Sequence, residues 1–246
     1  MAPTMRVQAR EYWSSSRSHR YSLVFAMPLL LLYELLEAVS PVRAAGGVVR
    51  NGADVLLTGV FSWMLGPRGP LVFMALVIGG ALWLIVRDRS GGPFRVSTLG
   101  AMLGESLVLA LLFGLVVGTA TVHLVGPLRS LAAGGALNGG PLSRLTLSLG
   151  AGLYEELLFR VVIVALLSNG LRLLGLSRII AGTLAVITGA LLFSAFHYVG
   201  PFGEPMRLES FVFRTLAGLA FSALYLTRGF GITAWTHALY DVAVLF

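Results

Sequence analysis

The sequence predicts an all-α membrane protein, a polytopic transmembrane helix bundle of seven to eight spans forming one integral membrane domain. Three observations lead there. Of 246 residues, 57% are hydrophobic and only 12% are charged, against roughly 25% charged residues in ordinary soluble domains. The apolar residues come in long runs broken by Gly, Pro and Arg clusters; a span takes ~20 of them, so eight spans occupy ~160 positions and leave the rest for ends and loops. The chain has no cysteine, which excludes structural disulfides, thiolate zinc sites, iron–sulfur clusters and a cysteine nucleophile together.

The elements follow in order. Residues 1–20 are a basic N-terminal segment with Arg6, Arg10, Arg17 and Arg20. That resembles the flank of a signal peptide. The apolar run behind it, however, contains Glu34 and Glu37, offers no small-residue cleavage site and precedes further spans, so it reads as a retained first helix. Residues 21–130 hold spans at Tyr21–Val39, Asn51–Gly66, Leu71–Val86 and Thr98–Val125. Leu131–Pro141, LAAGGALNGGP, has the Gly and Ala content of a flexible connection. Residues 142–246 hold spans at Leu145–Leu167, Ile179–Val199, Phe211–Leu226 and Ile232–Phe246. Ser168-Asn169-Gly170, Gly200-Pro201 and Arg228-Gly229 break them apart. No internal repeat is visible.

All eighteen basic residues are Arg, and with eleven acidic ones they give a net charge of +7. On a membrane protein this excess fits loop arginines at anionic headgroups of the lipid bilayer. No basic stretch is interleaved with exposed aromatics, so nucleic acid is not an expected partner. The loop arginines divide nine to eight between the two sides of an eight-span arrangement, and only the four at the N-terminus favour a cytoplasmic start. Trp13, Trp63, Trp83 and Trp235 read as interface anchors. Glu34 and Glu37 read as helix-end carboxylates near the surface, and Asp54, Glu105 and His123 as span-boundary groups. Glu204 and Glu209 fall in a solvated loop that could gate a cleft.

Ionisable side chains inside spans carry the functional information, because each costs roughly 2.5 to 3.5 kcal/mol at the bilayer centre. The span Leu145–Leu167 holds three of them: Glu155, Glu156 and Arg160. Glu156 and Arg160 are spaced i,i+4 in the favourable order and can neutralise each other. Glu155 points about 100 degrees away and needs a proton, a cation or a polar group from another helix. His197, four residues after Phe193, ends the next span; His237 and Asp241, again i,i+4, open the last. One carboxylate, two imidazoles and a second carboxylate on three helices can activate a water. Glu155 takes its proton, His197 holds it, and His237 with Asp241 either stabilises an oxyanion or joins His197 around a metal.

Other readings use the same residues. Membrane Glu, His and Asp also build the relays of proton-coupled transporters, which carry inverted repeats and paired broken helices not found here. A buried polar network that merely fixes helix packing, in a membrane scaffold or immunity protein, is a third option. There is no HExxH helix and no glycine-flanked serine with a suitably placed histidine, which disfavours other intramembrane proteases.

The three motifs EExxxR at Glu155–Arg160, FxxxH at Phe193–His197 and HxxxD at His237–Asp241, in that order on successive apolar helices, resemble those of the CAAX prenyl protease type II and bacteriocin-processing (CPBP, or Abi) family of intramembrane endopeptidases. The resemblance covers roughly Leu145–Phe246. It implies Glu155 as catalytic base, Glu156 and Arg160 as a structural pair, Phe193 as support and His197 as partner of the base. His237 with Asp241 would contact substrate oxygen or a metal. It further implies a membrane-associated protein or peptide as substrate and, if His197, His237 and Asp241 ligate, a divalent ion such as zinc. The sequence departs from the family at Asp241, where Asn is usual; an ionised Asp cannot donate a hydrogen bond. Counting 1.5 Å per residue also places Glu155 mid-span, His197 near one helix end and His237 toward the other surface. Straight, untilted helices would keep the three apart, so tilted or broken helices are expected.

Overall fold

The computed structural model describes residues 5–39, 43–44, 47–48, 50–88, 93–126, 140–200 and 203–245. They form a helical bundle whose strand content is one two-residue pair, Arg43–Ala44 with Gly47–Val48. Helix α1 (Met5–Ser16) precedes the first long apolar helix, α2 (His19–Val39). Helices α3 (Gly52–Leu65) and α4 (Gly69–Arg87) form a hairpin around the tight turn Gly66–Arg68, and α5 (Val96–Val125) is the longest. A continuous helical rod then runs from α6 (Pro141–Gly150) to α7 (Ala165–Leu173). Between these ends it is wound more widely, as π-helix over Ala151–Glu155 and Leu157–Val164. Helices α8 (Arg178–Phe196), α9 (Leu208–Arg228) and α10 (Phe230–Leu245) complete the bundle.

Each of the eight expected spans therefore has its helix. Among the described residues five stretches are long and apolar enough to cross a membrane, the α3–α4 hairpin counting as one of them. Two expected spans fall outside that set for visible reasons: the rod over 141–173 is interrupted by Glu155, Glu156 and Arg160, and α10 has 16 residues. Large apolar side chains point outward on every side, among them Trp63, Leu111, Leu173 and Ile179. An apolar surface on this scale is stable against lipid and not against water. The connection expected at Leu131–Pro141 lies outside the described residues as far as position 139.

Helix α10 is the axis of the bundle, packed against α2, α5, α6, α9 and the Ala151–Glu155 turn. Gly152 makes this approach possible, since a Cβ there would collide with the Ala234 carbonyl oxygen and lie 2.7 Å from the Ala238 methyl. Gly150 does the same for α2: its missing Cβ leaves room for the Tyr33 ring. Close helix approach through small residues is the packing that membranes favour, because lipid supplies little hydrophobic drive for helices to associate.

Of the acidic residues expected at span boundaries, Asp54 stands in the first turn of α3, whereas Glu105 lies well inside α5. Asp54 is completely buried, accepting hydrogen bonds from the Tyr33 hydroxyl (2.7 Å) and Arg50 Nε (2.5 Å). Glu105 is gripped by Arg228 Nε and Nη2 at 2.6 and 2.7 Å and accepts the Tyr12 hydroxyl. The Arg50 turn folds over Asp54, and α1 and α9 fold over Glu105, so protein surrounds both carboxylates. The Trp235 indole donates to the Phe25 carbonyl at 2.7 Å.

Candidate active site

The π-wound part of the rod carries EExxxR. Wide turns of this kind are uncommon and recur at functional sites, where they redirect neighbouring side chains. Here Glu155 and Glu156 are adjacent in sequence yet meet different partners. Glu155 Oε1 accepts from Asn51 Nδ2 at 3.0 Å, and its Oε2 faces His197 Nε2 at 3.9 Å. Glu156 Oε1 meets His237 Nδ1 at 2.7 Å, while its Oε2 faces Arg160 Nε at 3.2 Å in an ion pair that is not aligned as a hydrogen bond. The two carboxylates thus hold the two histidines, one each.

His197 sits where α8 stops. Its Nδ1 lies 2.9 Å from the Phe193 carbonyl, and a carbonyl can only accept, so Nδ1 carries the proton and Nε2 is left facing Glu155. The turn is held from behind. The Glu204 backbone N–H donates to the His197 carbonyl at 3.0 Å, and the Glu204 carboxylate is bound by Arg214 at 2.6 Å. Arg214 also donates to Ser210 and to the Tyr198 hydroxyl. Glu204, expected in a free loop, is therefore a bracket for the histidine turn.

His237 follows the same logic. An ionised Glu156 can only accept, which makes Nδ1 the donor and turns Nε2 toward Asp241 Oδ2 at 3.7 Å. The ring is stacked on Phe221 at 4.4 Å between centroids. Phe193 stands edge-on between the two imidazoles, 5.1 Å from His197 and 6.1 Å from His237. It also supports the Arg160 guanidinium, 4.6 Å from its ring, with Phe221 on the other side at 5.5 Å. Arg160 Nη2 donates to the Gly218 carbonyl at 3.3 Å. Its charge is balanced by one carboxylate and two aromatic faces.

The structure thus brings together Glu155 with His197 and Glu156 with His237, Arg160 and Phe193. The separation expected for straight helices does not arise: His197, at the end of α8, stands beside the π-wound turn with its Nε2 3.9 Å from Glu155 Oε2. The expected metal set fares differently. Among the described residues no three His, Asp or Glu side chains are gathered as metal ligands. His197 Nε2 faces Glu155 while His237 Nε2 faces Asp241, so in this arrangement His197, His237 and Asp241 are not assembled around one point.

Sequence reasoning missed the contribution of the N-terminal half. Asn51, Tyr33 and Asp54 back Glu155, and Tyr154 donates to Glu34 at 2.7 Å. Arg50 lies 3.4 Å from Glu34 and 3.5 Å from Glu37. The only signal was local: Asn51 ahead of Gly52, Ala53 and Asp54 at the start of an apolar run is a helix N-terminus signature, and it says nothing of a partner in another helix. An apolar cavity of about 470 Å³ is lined by Leu23, Leu30, Leu84, Leu153 and Leu157 among others. It lies on the other side of the Tyr154 turn, and none of Glu155, His197 or His237 lines it.

No curated protein and no solved structure matches the chain. A family match falls on the part of the chain that carries the three motifs. Residues 138–243, which carry all three motifs from Glu155 to Asp241, match the family described as type II CAAX prenyl endopeptidase, Rce1-like, the family of membrane proteases that the motifs resemble.

Proposed function

We propose that this protein is an intramembrane endopeptidase that hydrolyses a peptide bond of a membrane-associated protein or peptide with a water activated by Glu155 and His197. The observation that carries the reading is the facing pair Glu155 Oε2 and His197 Nε2, 3.9 Å apart, each anchored through its other polar atom. Both are acceptors in this tautomer. One water within hydrogen-bonding reach of both would donate a proton to each and turn its lone pair outward.

The chemistry then follows from the geometry. As the water oxygen attacks the substrate carbonyl carbon, Glu155 takes its proton as general base. The carbonyl oxygen becomes an oxyanion, to which His237 in its imidazolium form donates from Nε2. When the C–N bond breaks, Glu155 returns the proton to the leaving amine, so the carboxylate is regenerated and no group is consumed. Asp241 faces His237 and holds the ring on the side opposite Glu156. Glu156 and Arg160 orient His237 and support the bundle. No step passes through a metal.

The test is to compare peptide termini in membranes containing the wild-type protein or Glu155→Gln. New C-termini that arise from membrane-associated proteins only with the wild type support the reading. Identical termini in the two samples contradict it, and an ion-uptake defect without any cleavage product would favour a transporter.

A further inference from the structure

Glu155 is anchored from outside the stretch that matches the family. Asn51, the residue that opens α3, lies in the N-terminal half, is buried, and donates from Nδ2 to Glu155 Oε1 at 3.0 Å. Its amide is not free to turn over. Oδ1 accepts the Ala53 backbone N–H at 2.9 Å as the side-chain cap of α3, and a capping oxygen must be the carbonyl one. With Oδ1 committed to the helix, Nδ2 is committed to Glu155. The Asn51 backbone is fixed in turn: its N–H donates to the Tyr33 hydroxyl at 3.3 Å, and that hydroxyl donates to Asp54 Oδ2 at 2.7 Å.

We infer that Asn51 is a positioning residue for Glu155, acting through the hydrogen bond to Oε1 that leaves Oε2 as the oxygen facing His197. The inference rests on Glu155 being the general base. It explains why Asn stands here although Asp, Ser and Thr cap helices about as well. Ser and Asp both keep a capping oxygen, but Ser is too short to donate across to Glu155, and Asp sets a carboxylate against a carboxylate. A carboxylate with both oxygens unanchored can turn about its last torsion, and a poorly oriented base loses rate without losing substrate binding.

Two measurements separate this role from plain helix capping. In steady-state kinetics on the full-length protein in detergent or proteoliposomes, Asn51→Ser should lower kcat about tenfold or more, with KM and melting temperature near wild type. Thermal unfolding supplies the second measurement through a donor–acceptor exchange. Asn51→Asp alone should lower the melting temperature, and adding Glu155→Gln should restore it, since the amide introduced by the second change can donate to the new carboxylate. An unchanged kcat for Asn51→Ser, in a protein whose Glu155→Gln variant is inactive, overturns the positioning role and leaves the base intact. A Glu155→Gln variant that turns over at the wild-type rate overturns both. Equal melting of Asn51→Asp with and without Glu155→Gln also overturns the proposal, because the hydrogen bond would then carry no coupling.

Discussion

Glu156→Ala is the most informative single change to the fold of the site. Glu156 is wholly buried and serves two partners, Arg160 at 3.2 Å and His237 at 2.7 Å. Removing it leaves the Arg160 guanidinium, also buried, with one hydrogen bond to the Gly218 carbonyl and two aromatic faces. Breaking a buried ion pair from one side costs about 3 to 5 kcal/mol, because the surviving charge has no counter-charge. Typical domain stabilities are about 5 to 15 kcal/mol, so a large part of the total is at stake. Glu156→Gln keeps an oxygen that can accept from His237 and should be milder. Glu156→Leu combined with Arg160→Met removes both charges, and should recover most of the stability while leaving His237 without its acceptor. The assay is thermal unfolding of the purified protein in mild detergent, with turnover measured in parallel. The double variant should melt well above Glu156→Ala and still be slow, because His237 is unanchored. A Glu156→Ala protein with wild-type yield and melting would refute the buried-pair reasoning.

Further outcomes follow from other contacts. Gly152→Ala drives a methyl into the Ala234 carbonyl oxygen, so α10 must move; overpacking costs about 1 to 3 kcal/mol, and displacement of His237 should slow turnover, whereas wild-type melting and rate would show that α10 yields freely. Arg228→Met should destabilise by about 1.5 to 3 kcal/mol through loss of its charged hydrogen bonds to Glu105, yet leave kcat per folded molecule unchanged because this pair joins α1, α5 and α9 rather than the elements that hold Glu155; a selective loss of kcat would contradict that separation. Asp241→Asn should cost far less than the roughly 100-fold that loss of an oxyanion donor costs, since the amide can still face His237. Stoichiometric metal in the wild-type protein, with activity lost on chelation and restored by the ion, would instead make Asp241 a ligand.

Much of the bundle was legible in the sequence because each span is a run of apolar residues ended by Gly, Pro or Arg, and a lipid-facing helix needs little else. The motif residues were legible for the converse reason: Glu155, Glu156, Arg160 and His237 are costly in an apolar helix, so their presence demanded partners. Which partners they take was not legible. The Glu156–His237 bond spans 81 positions and the Asn51–Glu155 bond 104, and no local pattern encodes such contacts. The i,i+4 rule correctly paired Glu156 with Arg160 but gave no hint that the wider winding of this turn would deliver its other oxygen to His237. Reckoning depth at 1.5 Å per residue separated Glu155 from His197 because it took the helices as straight and untilted. At the end of α8, the turn held by Glu204 and Arg214 sets His197 beside Glu155. Asp54 was read at the start of its span, where it stands, but its burial against Tyr33 and Arg50 was not legible, and Glu105 lies well inside α5.

The measurement that bears most directly on the proposed chemistry is single-turnover cleavage by purified Glu155→Gln beside its melting curve. Gln keeps the size of the side chain and an oxygen to accept from Asn51, but it cannot take a proton from water. We expect a folded protein that melts near wild type and cleaves at least ~100-fold more slowly, the lower end for loss of a positioned general base. Cleavage by Glu155→Gln at a rate close to wild type would contradict water activation by Glu155.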